Sequence, residues 1–364
     1  MKKEVSVELL RILACLIVIG VHTCLNVQVN DKYILSRIYI ACLLADGVAV
    51  FWLITGFFLF NSDSYSKLLK KVMKTIIVPM FVASVFAFYF GGILIENKTL
   101  AKSLYHSKDE YISIFKTLLT WRNPVKYMEH LWYLYIYGLL MLIFPVLKSF
   151  VKYLDENTSR EKWFLIISAG ILILNDLTEN KFCEFSHYSI NGLFPATVEV
   201  IWGHILYKYR ARFKSFKTAM ISLIFFLALN LLRAILQFHA YNIGASNHIL
   251  YWYSMWGILC AASLMFCVVS IAPYISDKVY PVIRYIGRAT FLVYLIHQIV
   301  NQTLESLKIK EAIMFVLQQH TKGNLFEIIY TGTMIIVVFM ISLVISVIIQ
   351  VISKGVLQHI GKRA

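Results

Sequence analysis

The sequence predicts an all-α integral membrane protein: a polytopic bundle of about ten transmembrane helices with both termini in the cytoplasm, forming one domain over residues 1–364. Three observations carry this. Of the 364 residues, 59% are hydrophobic and the mean hydropathy is +0.69, whereas a soluble domain is about half apolar. The apolar excess is gathered into long runs. Lysine and arginine concentrate in alternate links between those runs.

At about 20 apolar residues per crossing, the runs lie at 7–27, 38–60, 72–95, 130–151, 163–174, 190–207, 219–238, 249–273, 285–303 and 326–352. The fifth is short, and without it every later crossing would invert. With the N-terminus inside, the inner links hold Lys67, Lys70, Lys71 and Lys74, then Lys148, Lys152, Arg160 and Lys162, then Lys208, Arg210, Arg212, Lys214 and Lys217. The C-terminal tail holds Lys354, Lys362 and Arg363. Of the outer links, 241–248 has neither cation and 176–189 has only Lys181. That alternation satisfies the positive-inside rule with ten crossings. The longest outer link, 96–129, also holds lysines, but long loops count little toward orientation. Its mixed pattern and the turn signal Arg122-Asn123-Pro124 suit a partly helical cap on the outer surface. Further outer loops are expected at 176–189 and 305–324.

The net charge of +15 fits a cytoplasmic surface facing anionic membrane lipid, where each cation contributes roughly 1 kcal/mol; no nucleic-acid partner is expected. The segment after Lys2 and Lys3 starts like a signal peptide but is too long and lacks a small-residue cleavage pattern. Cys15, Cys24, Cys42, Cys183, Cys260 and Cys267 are scattered without CxxC spacing, so neither a zinc site nor a disulfide framework is indicated. No linker, low-complexity tract or repeat divides the chain, and no appended soluble domain is expected.

Function is read from polar groups inside the apolar runs, which are expensive there and mark pathways by default. Arg11 and His22 share the first run. Eleven residues at about 100° each return the chain to nearly the same face, about 16 Å further along the axis. Glu8, Arg11, Cys15, Val18 and His22 therefore line one stripe, with Arg11 near the inner surface and His22 in the outer third. By the same topology His130, with Leu131-Trp132-Tyr133-Leu134, opens the fourth run at the outer interface, and His297 comes late in the ninth, also in the outer half. Three histidines from three helices converge at similar depth. His204, His239 and His248 are expected as interfacial anchors. Glu199, mid-run, lines the interior and is a candidate partner of Arg233. Asp46 and Gly47 precede an apolar stretch in which Gly56 permits close helix approach or a break.

A neutral histidine accepts a proton near pH 7 or acts as nucleophile, and an arginine offers a permanent fork for phosphate or carboxylate. One helix thus offers an anion clamp inside and a base outside. A proton-coupled transporter uses the same residue types.

These residues also carry a resemblance. Arg11 with His22 resembles the arginine–ten residues–histidine motif of the membrane-bound acyltransferase-3 family, with Glu8 at its usual acidic position three residues before the arginine. The stretch from Gly47 to Phe57 resembles its GV-x-x-FF-x-x-SG-[FY] segment, His130-Leu131-Trp132-Tyr133-Leu134 its HLW-[FY]-L, and Tyr294-Leu295-Ile296-His297 its Y-L-x-H. Trp52 and Thr55 stand where Phe and Ser are usual, and Ile12 replaces a frequent Gly. The resemblance implies an O-acyltransferase moving acyl groups, usually acetyl, from cytoplasmic acetyl-CoA or another acyl-CoA to hydroxyls of cell-surface glycans or lipid-linked oligosaccharides. It implies Arg11 and His22 as the catalytic motif, His130 and His297 as further site residues, and Trp132 and Gly56 as cavity-shaping.

The expected mechanism places Arg11, supported by Glu8, at the donor phosphates, with the pantetheine arm running up the stripe to His22 as base or acyl carrier. His130 or His297 is expected to donate to the oxyanion. Trp132, Tyr133, Glu199, Arg233 and Asp46 are expected around the acceptor. The whole scheme needs Arg11 and His22 to border one continuous cavity. The rival reading is a transporter or a serine-binding domain akin to the membrane half of vancomycin-resistance serine racemases. The expected location is a bacterial plasma membrane.

Overall fold

The computed structural model describes residues 5–23, 25–62, 64–179, 181–186, 189–244 and 252–361. Lys2, Lys3, Cys24, His248, Lys362 and Arg363 lie outside these.

The chain is helical along almost its whole described length. In order come α1 (Val5–Val21), α2 (Leu35–Leu43), α3 (Gly47–Leu59), α4 (Tyr65–Val72), a π turn (Met73–Ile77), α5 (Val78–Glu96), α6 (Leu100–Leu104), α7 (Lys108–Leu119) and α8 (Trp132–Asp155). Then follow α9 (Thr158–Leu177), α10 (Leu193–Lys208), α11 (Phe216–Asn242), α12 (Met255–Ile271), α13 (Tyr280–Ser306), α14 (Ile309–His320) and α15 (Gly323–Gly361). Helices occupy each of the ten apolar ranges, and six helical stretches are long and apolar enough to cross a membrane by length and composition. The other four are α1 and α10, with 17 and 16 residues, and α9 and α13, which carry charges within their turns. Three of these four, α1, α10 and α13, hold most of the buried polar residues discussed below. Polar groups that reduce a helix's apolarity are tolerated where they face the interior of a bundle.

Local chemistry explains the departures from straight helices. Pro79 lacks an N–H to donate, and the π turn just before it absorbs that loss inside one continuous stretch, 65–96. Pro145 leaves the Met141 carbonyl without its helical donor, and the Tyr65 hydroxyl donates to that carbonyl at 3.1 Å. The link 96–129 is partly helical as expected: α7 starts with a capping box, Ser107 with Glu110. Its far end is tied to the end of α5, where Glu96 accepts from Lys126 and Tyr127 and pairs with Lys98 at 2.6 Å. The hydrogen bond to Glu96 pushes the Lys126 ammonium above its usual range.

Three expectations change. The first helix stops at Val21, so His22 lies in the turn beyond it. A short antiparallel hairpin, β1 (Gln28–Val29) with β2 (Lys32–Tyr33), follows. It turns on Asn30 and Asp31 at positive φ (47° and 61°), the geometry of a tight hairpin turn. Arg37 ties it down, donating to the carbonyls of Asn26 (2.9 Å) and Gln28 (3.2 Å) and to Asn324 Oδ1 at the start of α15 (3.2 Å). Finally, the link expected at 305–324 is largely the helix α14.

The core depends on two close approaches. A Cβ at Gly56 would lie 2.0 Å from the Val200 carbonyl oxygen, and one at Gly203 2.2 Å from that of Leu53, so α3 and α10 touch backbone to backbone. A Cβ at Gly287 would lie 2.5 Å from Glu8 Oε2, so only glycine lets α13 press against α1 there.

Candidate active site

One half of the site is a cavity of about 510 Å³. Arg11 lines it from α1, Lys71 from α4, Thr55 and Phe51 from α3, Tyr133 from α8, and Arg288 and Tyr294 from α13. Arg11 donates to Glu8 at 3.2 Å, and its side chain remains 35% exposed while that of Glu8 is 3% exposed. Glu8 is therefore a buried brace for the guanidinium, and no part of it lines the cavity. Arg11, Lys71 and Arg288 make the cavity cationic, and Lys71 and Arg288 are exposed. Such a rim suits a polyanion. The sequence marks Lys71 only as one of the inner cations and does not single out Arg288; their shared cavity depends on helix packing.

The other half is a triangle of imidazoles. His22 and His297 have ring centroids 5.3 Å apart, His130 and His297 4.6 Å, and His22 and His130 6.1 Å. His130 stands on a short 3₁₀ turn (Glu129–Leu131) that leads into α8. It is 4% exposed, and His297 is 1% exposed. The His22 ring meets this pair from the turn after α1, whose backbone is held by Asn301: its Nδ2 donates to the His22 carbonyl at 3.0 Å. Asn301 lies one turn beyond His297 on the same face and could have been found by that spacing.

One backbone carbonyl sets two of the three rings. Tyr294 O lies 3.0 Å from His130 Nε2 and 2.7 Å from His297 Nδ1. A carbonyl only accepts, so both nitrogens carry the hydrogen. In the neutral rings the other nitrogens, His130 Nδ1 and His297 Nε2, then hold lone pairs, and both are buried without a hydrogen-bond partner. Proton-accepting chemistry fits them. The expected donation to an oxyanion does not, because the hydrogens already point at Tyr294. Among the described residues no group of His, Cys, Asp and Glu is arranged to hold a metal ion.

Among the described residues, the cavity that Arg11 lines does not reach the histidines. Arg11 lines the cavity and none of the three histidines does. Between Arg11 and His22 the stripe is filled by Cys15 and Val18, 1% and 6% exposed. The partition is thin, however. Tyr294 lines the cavity and also binds the histidines: its hydroxyl donates to the His130 carbonyl at 2.5 Å, and its own carbonyl accepts from both rings.

The remaining predicted residues fall in two groups. Arg233 pairs with Asp46, its Nη1 donating to both carboxylate oxygens at 2.9 and 2.8 Å, with the side chains 0% and 4% exposed. This corrects the expected Glu199–Arg233 pair: α11 faces the break between α2 and α3 instead. Glu199 is wholly buried, and both its oxygens lack a hydrogen-bond partner. Trp132 stacks on Trp252 at 5.4 Å, away from the cavity, while Tyr133 packs on Trp52 at 4.2 Å and reaches it. Gly56 serves helix contact and does not line the cavity. Of the expected anchors, His204 is bonded to Asp155 at 3.0 Å, and His239 lies in the last turn of α11.

No curated protein and no solved structure matches this chain. Residues 4–351 match the acyltransferase domain of the acyltransferase-3 family, nearly the whole chain. With an apolar helical bundle and a histidine cluster beside a cationic cavity, the chain belongs to that family of acyltransferases.

Proposed function

We propose that this membrane acyltransferase moves an acyl group, acetyl by preference, from cytoplasmic acyl-CoA to a hydroxyl of a cell-surface glycan or lipid-linked oligosaccharide. It works in a bacterial plasma membrane, with ten crossings and both termini inside, as the distribution of lysine and arginine favours. The observation that carries the reading is the pair of bare acceptor nitrogens on His130 and His297 next to His22, one residue's thickness from a cavity rimmed by Arg11, Lys71 and Arg288.

In this reading the three cations hold the donor's phosphates, and the guanidinium of Arg11 supplies the fork. The acceptor hydroxyl oxygen bonds to the thioester carbonyl carbon and the C–S bond breaks. The hydroxyl proton passes through His22 to the departing thiolate, leaving an ester and free CoA. His130 and His297 accept hydrogen bonds from the acceptor and orient it.

The test gives labelled acetyl-CoA to inside-out vesicles. Label on lumenal glycan, matched by mass spectrometry of surface glycans with and without the protein, supports the proposal. Solute uptake with no acylated product overturns it in favour of transport.

A further inference from the structure

Tyr294, which lines the cavity and also binds the histidines, is one corner of an aromatic triangle in the cavity wall. Phe51, Tyr133 and Tyr294 come from α3, α8 and α13, and all three line the cavity. Their ring centroids form a nearly equilateral triangle: Phe51–Tyr133 6.1 Å, Phe51–Tyr294 6.0 Å and Tyr133–Tyr294 6.1 Å. The centre of that triangle lies about 3.5 Å from each ring centre, close to the contact distance between two carbon atoms. A longer chain fits there only if a ring turns aside.

The three rings are not equally free to turn. The Tyr294 hydroxyl donates to the His130 carbonyl at 2.5 Å. The Tyr133 hydroxyl is 3.4 Å from that of Thr55, which itself donates to the Phe51 carbonyl at 2.9 Å. Phe51 has no polar atom on its side chain, and it is only half-buried, whereas Tyr133 and Tyr294 are 8% and 5% exposed. Two rings are held at the para position and the third is held by packing alone.

Resting on the acyltransferase reading above, we infer that this triangle is the acyl gauge of the enzyme, with Phe51 its adjustable side. The thioester must travel from the cationic cavity to His22, and Tyr294 belongs to both compartments. The acyl methyl comes to lie among the three rings, so the size of the group is judged there. An acetyl methyl is one carbon and fits the centre; each further methylene has to displace Phe51. Selection by a packed wall is worth about 10- to 200-fold per methylene.

The experiment measures transfer from labelled acetyl-, butyryl- and octanoyl-CoA to glycan in inside-out vesicles containing the full chain. Phe51→Ala should raise the butyryl-to-acetyl rate ratio at least about 10-fold. Phe51→Leu, a milder change in case the alanine variant fails to fold, should raise the ratio by less, and Phe51→Trp should lower it. An active enzyme whose three rates move in parallel in every folded variant overturns the gauge and leaves the acyltransferase reading standing. No transfer from any acyl-CoA, in a protein that is folded and inserted, overturns both.

Discussion

Arg233 and Arg11 both lie in apolar helices, yet their surroundings differ in kind. Arg233 is wholly buried and its charge is met by both oxygens of Asp46. Arg11 gives one nitrogen to Glu8 and keeps about a third of its side chain open to a cavity. The same contrast separates the Asp46 carboxylate from the histidine triangle, where two ring nitrogens have no partner. A charge paired with an opposite charge and closed inside the bundle ties helices together; one that stays partly open beside a cavity is available to a ligand. Charge within an apolar run is therefore a weak guide until its partners are known.

The sharpest way to break this division is His22→Ala. Acyl transfer in vesicles should fall by about 10²- to 10⁴-fold, the range lost with a positioned base, with the unfolding midpoint in detergent unchanged. Retention of full transfer would remove His22 from the chemistry. Asp46→Ala should do the opposite. Removing one member of a buried pair costs about 3–5 kcal/mol, seen as a lower unfolding midpoint and loss of the monodisperse peak, with unaltered acyl-CoA affinity in the fraction that stays folded. If Asp46→Ala protein is stable but weak in acyl-CoA binding, the pair belongs to the site after all. Combining Asp46→Leu with Arg233→Met should recover much of the lost stability, since a well-packed apolar pair replaces the ions.

Arg11→Lys probes the open end. An ammonium cannot reproduce the fork, and a lost hydrogen bond to a charged group is worth about 1.5–3 kcal/mol. The KM for acyl-CoA should rise about 10-fold or more while kcat holds; an unchanged KM would deny the clamp. Asn301→Ala should have the smallest effect. It removes one hydrogen bond that fixes the His22 backbone, and a roughly 3-fold drop in kcat with constant KM is expected. A change in KM instead would mean that Asn301 meets the donor.

The helices were legible in the sequence because apolar length is a property of single segments. So was the meeting of His22, His130 and His297, because alternating topology alone puts them at one depth. The pairing of Arg233 was not legible: it depends on whether α11 lies against Asp46 or against Glu199, which no local pattern specifies. Nor was the role of Tyr294. Its motif drew notice through the neighbouring histidine, but the group that orients two rings is a main-chain carbonyl, and any residue type at that position carries one. The hairpin after α1 was marked by Asn30-Asp31 but was hidden by the apolar run continuing toward Val27.

Tyr294 has a consequence for how such a protein diverges. One residue closes the passage with its ring and aligns two bases with its backbone, so a helix shift that widened the opening there would also misaim the bases. Phe51 carries no such second duty. Variation in the size of group handled should therefore accumulate on α3, while the corresponding turn of α13 stays fixed among enzymes that remain active.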